Sequence, residues 1–368
     1  MKTMMGIINL AHEKDFLKEL TYFRSGASVP FAGRYRIIDF TLSNMVRSNI
    51  QEVAIFARSK YRSLLDHIGG GADWDLDRRY SGLFILPPDW HDPSDISKGD
   101  LRYFHNNLDY IMRGKSDYVL ISGSQFIANT SYDKLFQHHL DQEADITLLT
   151  TTYEESNYLP EYSMKVDTDE NGEVTCLSHD LNKSKVFTGV YVLHRDLLLE
   201  LVQDCIAHYK DNFFMDGIQA NLDRLNVHSY HYHGYSALIH SIESYYHHNM
   251  KLLNKNYYNE LFLSGNPILT KIANQPPTNY QDTARVNKAS IGTGCEIAGE
   301  VTNSILFPGV KVNKHAEIKN SIIMQRCKIE AGAQIENVIL DKDVVITENT
   351  VLRGAEEQPY VIAKRSTI

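Results

Sequence analysis

The residues best placed to do chemistry are arginines and histidines. The run Pro30-Phe-Ala-Gly-Arg-Tyr-Arg-Ile-Ile-Asp-Phe-Thr-Leu-Ser-Asn44 reads as a turn or loop carrying Arg34 and Arg36, followed by an apolar segment ending in Ser-Asn. Arg47, Arg58 and Arg62 follow within reach of the same region. A guanidinium offers a planar fork of donors that matches phosphate, so these arginines could form a phosphate-facing cluster or stand as separate surface and structural residues. His231-x-His233 would place two imidazoles on one face of a strand, and His138-His139 and His247-His248 are adjacent pairs. Zinc needs a convergent ligand set, and no cluster with metal spacing accompanies these histidines, which favours surface or core roles. Trp74 and Trp90, with aspartates nearby, could shape a sugar pocket or simply pack their loops.

Short apolar runs alternating with helical patterns must position these groups. Met4–Leu10, Glu52–Ala57, Tyr118–Ser122, Asp145–Thr152 and Thr188–Leu193 read as buried strands. Thr41–Ser48, Tyr61–Ile68, Leu101–Arg113, Tyr132–Gln142 and Asp196–His208 read as the helices between them. That alternation predicts a mostly parallel sheet covered on both faces, with a ligand crevice at the carboxyl ends of its strands. The loops Gly69–Arg79 and Leu86–Pro93 are long and polar enough to overhang it.

The texture changes near Ser264. A polar stretch with Pro267, Pro276 and Pro277 reads as a linker over 264–287. Beyond it the chain repeats: Asn303-Ser-Ile-Leu-Phe-Pro-Gly-Val-Lys-Val, Asn320-Ser-Ile-Ile-Met-Gln-Arg-Cys-Lys-Ile and Asn337-Val-Ile-Leu-Asp-Lys-Asp-Val-Val-Ile start 17 residues apart. The sets Val312, Ile329, Ile346; Ile305, Ile322, Ile339; and Ile318, Ile335, Leu352 fall in register, and steps of six link Val312 to Ile318 and Ile329 to Ile335. This is the hexad spacing of a β-helix whose faces each contribute inward aliphatic residues. The predicted organisation is a domain over 1–263, the linker, and a β-helix over 288–368.

Composition narrows the class. The 368 residues are long enough for two domains. A net charge of −9 supplies no field for holding nucleic acid non-specifically. Four scattered cysteines without a CxxC pair argue against a zinc or disulfide framework and fit a reducing, cytoplasmic setting. The apolar start is too short for a good signal peptide, and no run of about 18 apolar residues suggests a membrane span.

Arg36-Ile-Ile-Asp-Phe40 with Leu42-Ser-Asn44, His67-Ile-Gly-Gly70 before Trp74-Asp-Leu-Asp77, Leu86-Pro87, Asn107-Leu-Asp109, Gly189-Val-Tyr-Val192 and the terminal hexads occur in one order. Together they resemble the ADP-glucose pyrophosphorylase (glucose-1-phosphate adenylyltransferase) family of sugar nucleotidyltransferases over nearly the whole chain. The resemblance implies a Rossmann-like nucleotidyltransferase domain followed by a left-handed parallel β-helix. It also implies a reaction in which glucose 1-phosphate attacks the α-phosphorus of ATP, with Mg²⁺ held by carboxylates.

Measured against that family, the catalytic positions are replaced. Counted back from Pro30-Phe31, the glycines of the nucleotide loop fall on Ala11, His12 and Lys14, its arginine on Phe16 and its lysine on Gly26, while Leu17, Leu20 and Thr21 still match. Side chains at such glycines block close approach of backbone to phosphate. Lys14 and Lys18 could offer charge instead, or sit exposed on a helix. The family's Gly-Asp-His, whose aspartate binds metal, reads Gly123-Ser124-Gln125 here. A second carboxylate position falls on Leu238, and the Glu-Lys-Pro segment that holds the sugar phosphate is replaced near Ser178-His-Asp-Leu181. Arg34 stands where the family carries a lysine associated with an anionic sugar-phosphate activator, and Phe56-Ala-Arg58 stands where its catalytic subunits keep a glutamine.

The resemblance is therefore to the family's non-catalytic, regulatory branch. It implies no catalytic residues and no cofactor of the chain's own, Mg²⁺ acting instead in a catalytic partner subunit. It further implies hetero-oligomeric assembly with that subunit, and a possible regulatory anion site at Arg34, Arg36, Arg47 and Arg58 for a sugar-phosphate effector. The rival expectations are an active adenylyltransferase with substitute nucleotide contacts, a stand-alone sugar-phosphate sensor, and an acyltransferase using His315, the single histidine of the repeat region.

Overall fold

The structure, a computed structural model, describes residues 2–11, 16–57, 59–79, 81–87, 99–152, 163–180, 182–272 and 274–368. The chain forms two compact units, one of Met1–Lys14, Phe40–Tyr61 and Ile68–Leu238 and one of Asp15–Asp39, Arg62–His67 and Ile239–Ile368.

The first unit is built on a nine-stranded sheet. Met4–Asn9, buried along its whole length, pairs in parallel with Glu52–Phe56 on one side and Tyr118–Ser122 on the other. Such all-apolar strands fit a sheet covered on both faces. The expected parallel sheet is only half the arrangement. Lys185–His194 runs antiparallel to both Tyr118–Ser122 and Ile146–Thr152, and Lys165–Thr168 pairs antiparallel with Val174–Ser178. Lys185–His194 is longer than the stretch read from sequence because it continues through an irregularity between Phe187 and Tyr191. Gly189 supplies the positive φ of 82° that the irregularity requires.

The helix expected over 101–113 is two, Leu101–Asn106 and Leu108–Arg113. Asn107 breaks it, with non-helical dihedrals and its side-chain amide donating to the Tyr103 carbonyl at 2.8 Å. These helices and Arg195–Ala207 cover one sheet face in a core that includes Phe104, Ile111, Leu148, Leu198 and Phe213. Trp74, in the short turn Ala72–Trp74, is fully buried, so it packs its loop and is not open to a sugar. Trp90 and most of the loop over 86–93 lie outside the described residues.

The second unit contains the repeats as a parallel coil. Val312 pairs with Ile329 and Ile329 with Ile346; Ile318 pairs with Ile335 and Ile335 with Leu352. Part of the stretch read as a linker already belongs to it, since Asn279–Tyr280 pairs with Glu296–Ile297 and the strand Arg285–Ile291 with Glu300–Leu306. One column differs from expectation. Ile305, Ile322 and Ile339 are buried and in register, yet the coil's inner core takes their neighbours Leu306, Ile323 and Leu340. Successive residues of a strand face opposite sides, so the isoleucine column lies on the coil's outer side. The helix Ile242–Lys251 packs along that strand, and its Tyr246 hydroxyl donates to the Asn320 carbonyl at 2.5 Å. Asn303, Asn320 and Asn337 repeat at the corner with φ of 45°, 47° and 54°. Asparagine tolerates this left-handed region better than other side chains do.

Candidate functional site: a replaced nucleotide end and a cationic cluster

The strand Met4–Asn9 ends where the nucleotide loop would begin. Leu10 donates its N–H to the Phe56 carbonyl at 3.1 Å, and the Ala11 N–H is taken by the Asn9 side chain at 3.2 Å. Asn9 is itself anchored, donating to Asp100 at 3.1 Å, and the Ala11 methyl lies in the core. A backbone donor already bonded within the protein is not offered to a phosphate. His12 and Lys14 lie outside the described residues. Phe16, expected at the loop's arginine position, presents a partly exposed aromatic ring, and Lys18 begins the short helix Lys18–Thr21.

Ser124 is 1 % exposed and Leu238 is 7 % exposed. Leu238 is paired with Phe126 in a two-stranded sheet, and Gly123 offers its carbonyl to the Thr41 and Ser122 hydroxyls at 3.3 and 2.8 Å. A buried hydroxyl and a hydrocarbon do not form the anionic oxygen set that Mg²⁺ requires. Among the described residues no group of three histidine, cysteine or acidic side chains is arranged to hold a metal. The donor set does not fit the metal. The His231 and His233 rings are 4.6 Å apart and His138 faces His228 at 6.3 Å without a further ligand group. His315 is an exposed corner residue of the coil with φ of 63°. In the segment expected at the sugar-phosphate position, Asp180 accepts from the Asn182 N–H at 3.0 Å and His179 Nδ1 lies 3.4 Å from the Ser163 carbonyl; Leu181 lies outside the described residues.

The run Pro30–Asn44 is scaffold. Pro30–Phe31 and Tyr35–Arg36 form a two-stranded hairpin that turns at Ala32 and Gly33, with φ of 52° and 75°. Fully buried Asp39 accepts from the Arg36 N–H at 2.9 Å and meets His67 Nε2 at 2.6 Å. Asn44 donates to the Ala128 carbonyl at 3.0 Å and accepts from the Thr130 N–H at 3.1 Å.

The arginines of the expected anion site each have their own surroundings. Arg34 is exposed, its guanidinium 5.9 Å from the centre of the Tyr35 ring. Arg47, in the first unit, donates to Asn129 and to the Thr130 carbonyl at 3.3 Å, a structural role. Arg58 lies outside the described residues. Arg36 is held by Ser63, donating to its carbonyl at 2.7 Å and its hydroxyl at 2.9 Å.

Around Arg36 the fold gathers cations that sequence reasoning did not find. Arg24, 3 % exposed, forms a salt bridge with fully buried Asp341. Lys342 follows in the same turn, and burial, reinforced by Arg36 and Arg24, pulls its ammonium down to about 6. Burial, then Arg365 and Arg24, also lowers Lys364. Burial lowers Arg36 to about 10, with Asp39 working against the shift and Arg24 adding to it. Like charges brought together in a partly desolvated place repel unless an anion joins them. The sequence did carry a signal: Phe307 and Met324 are buried at the repeat position where the next copy has Asp341. A fully buried aspartate at an apolar repeat position calls for a cation.

Comparison with known proteins agrees with this architecture. The nucleotidyl transferase family pattern matches residues 16–255, and the GlmU-like C-terminal hexapeptide pattern matches residues 274–359. A glycogen biosynthesis protein GlgD of Bacillus subtilis (strain 168) is 37 % identical over 98 % of this chain and 96 % of its own length. Another GlgD, of Geobacillus stearothermophilus, is 36 % identical over 98 % of this chain and 96 % of its own. The glucose-1-phosphate adenylyltransferase of Geobacillus stearothermophilus is 30 % identical over 82 % of this chain and 79 % of its own. With this scaffold and these relatives, the chain belongs to the bacterial glucose-1-phosphate adenylyltransferase family, on its GlgD side.

Proposed function

We propose that this chain is a regulatory, catalytically impaired subunit that assembles with a catalytic glucose-1-phosphate adenylyltransferase. In that assembly it modulates the formation of ADP-glucose from ATP and glucose 1-phosphate for glycogen biosynthesis. The observation that carries the reading is the filling of the reaction end. The Ala11 N–H is bonded internally, and the residues that the family resemblance sets at the two metal carboxylates, Ser124 and Leu238, are a buried hydroxyl and a buried hydrocarbon. Electrostatic stabilisation is the main source of rate in such a transfer, so these losses fall on the same term. Mg²⁺ then acts in the partner subunit. The route of control is a shift in the partner's populations through contacts that favour one of its states.

The cluster of Arg24, Arg36, Lys342 and Lys364 supports an effector role for an anion of the sugar-phosphate class, through charge-assisted hydrogen bonds. Replacing Arg36 by alanine is expected to weaken the response of the assembled enzyme to such an effector about tenfold or more, the loss of one charged donor. A titration of ADP-glucose synthesis against effector concentration measures it, and an unchanged midpoint would remove Arg36 from the site.

Assembly is tested by mixing the chain with the catalytic subunit of the same organism and resolving the mixture by size-exclusion chromatography with light scattering. A joint species with altered kinetics is expected. Separate peaks with unchanged kinetics would overturn the proposal.

A further inference from the structure

We propose that the carboxyl edge of the first sheet holds a binding site for a phosphate-class oxyanion, with Lys165 as its cation and the Ser163 and Ser178 hydroxyls beside it. The site lies within the first unit, and its reading does not depend on assembly with a catalytic subunit.

Strand pairing brings these groups to one face. Val166 and Leu177 belong to the main core, and Met164 and Phe187 pack against it. The ladder runs on past the start of Lys165–Thr168, where the Phe187 N–H donates to the Met164 carbonyl at 2.9 Å. Successive residues of a strand alternate in direction, so Ser163, Lys165, Ser178 and Val186 share the opposite face. Lys165 is paired directly with Ser178 on one side and with Val186 on the other. Residues opposite each other in such a pair hold their Cβ atoms about 5 Å apart. Val186 is paired in turn with Thr151, whose hydroxyl lies 3.1 Å from that of Ser236. Lys185–His194 runs antiparallel to both Ile146–Thr152 and Tyr118–Ser122, so Thr151 lies at the same carboxyl end as Ser122. That edge is where sheets of this kind bind ligands.

The chemistry of the row is unbalanced. Lys165 is 1 % exposed, a burial that lysine almost never reaches without a partner. Among the described residues its side chain makes no hydrogen bond or ion pair. Burial lowers its pKa, and no neighbouring charge offsets the shift. Ser163 is 6 % exposed, and its hydroxyl and that of Ser178 are buried without a partner. An ammonium only donates, and a hydroxyl turns its hydrogen to whatever accepts. One positive charge with two such hydroxyls suits a ligand with several accepting oxygens and a negative charge. Charge-assisted bonds to it offset the cost of burying the ammonium. Of these residues only Ser178 falls in the segment that the family resemblance sets at the sugar phosphate, and Ser178-His-Asp-Leu181 has no lysine. The cation comes from the neighbouring strand instead.

The isolated full chain is titrated by calorimetry with inorganic phosphate and, separately, with glucose 1-phosphate at fixed ionic strength. Saturable binding is expected, with one site weakened about tenfold or more in Lys165→Met, the loss of a charged donor. Ser178→Ala is expected to weaken the same site severalfold. Thermal unfolding gives a second readout. Without ligand, Lys165→Met is expected to unfold no lower than the parent, because an unpaired buried charge is removed. Phosphate is expected to raise the midpoint of the parent more than that of the variant. Unchanged affinity in Lys165→Met, or no binding of either probe by the parent, overturns the site. A variant that unfolds below the parent without ligand overturns it as well, since the ammonium would then be paired within the protein. None of these readouts involves a catalytic subunit, so failure of the site and failure of assembly are told apart.

Discussion

Asp341→Ala is expected to lower the stability of the second unit by about 3–5 kcal/mol, the usual cost of leaving a buried charge without its partner. Arg24 is 3 % exposed and Asp341 is fully buried, so water cannot replace the lost carboxylate. The orphaned guanidinium would also act on Arg36, Lys342 and Lys364, whose charged forms it already disfavours. Replacing both partners together, Arg24→Met with Asp341→Leu, is expected to recover most of the loss, because the desolvation cost disappears with the charges. Urea unfolding followed by intrinsic fluorescence measures both variants. A single variant that unfolds within about 1 kcal/mol of the parent would mean the bridge is open to water.

The second large effect is a loss of stability in mild acid. His248 is 4 % exposed, neither ring nitrogen has a hydrogen-bond partner, and burial followed by His247 and Lys251 lowers its pKa to about 3. In the first unit, His139 is 2 % exposed and is lowered by burial to about 4, with Nδ1 beside the Thr147 hydroxyl at 2.9 Å. Both values lie below the roughly 6.5 of an unfolded histidine. Between the two the unfolded chain binds the extra proton, so stability is complete above about 6.5 and falls as pH drops through that window. The slope is about 1.4 kcal/mol per pH unit for each histidine, and for His248 the total reaches the order of 5 kcal/mol. His248→Leu removes one titrating group. Its urea midpoint is expected to change less between pH 6.5 and 5 than that of the parent. An equally steep decline in the variant would assign the acid sensitivity to other groups.

What could be read in the sequence and what could not divides along chain distance. The repeat of 17 residues gave the coil and its register because the information is local and periodic, and Val312, Ile329 and Ile346 stack as expected. The same periodicity misassigned Ile305, Ile322 and Ile339 to the inner core. Two adjacent apolar positions per strand fit either side, and the outer one is covered from elsewhere in the chain, as where the helix Ile242–Lys251 packs on the strand that carries Ile305. The antiparallel half of the first sheet was equally hidden, since an apolar run such as Thr188–Leu193 carries no sign of its direction. Arg36 was picked out on its own residue type, yet the group it joins spans 317 positions of sequence between Arg24 and Asp341. No pattern in a linear window reports that meeting, although an aspartate in the apolar column of the third repeat hinted at it. Arg47 was picked out on the same ground, and its bonds to Asn129 and Thr130, more than 80 positions away, could not be read from its spacing.

The central claim, a kept fold with replaced chemistry, is tested most directly by turnover of the isolated chain. Purified from a host lacking its own adenylyltransferase, it is supplied with ATP, Mg²⁺ and glucose 1-phosphate, and ADP-glucose is quantified beside a catalytic relative. The expected rate is at least about a thousandfold below that relative, since loss of a single preorganised electrostatic contact already costs about 10²–10³. Turnover within tenfold of the catalytic relative would contradict the account and restore the chain to the enzymes.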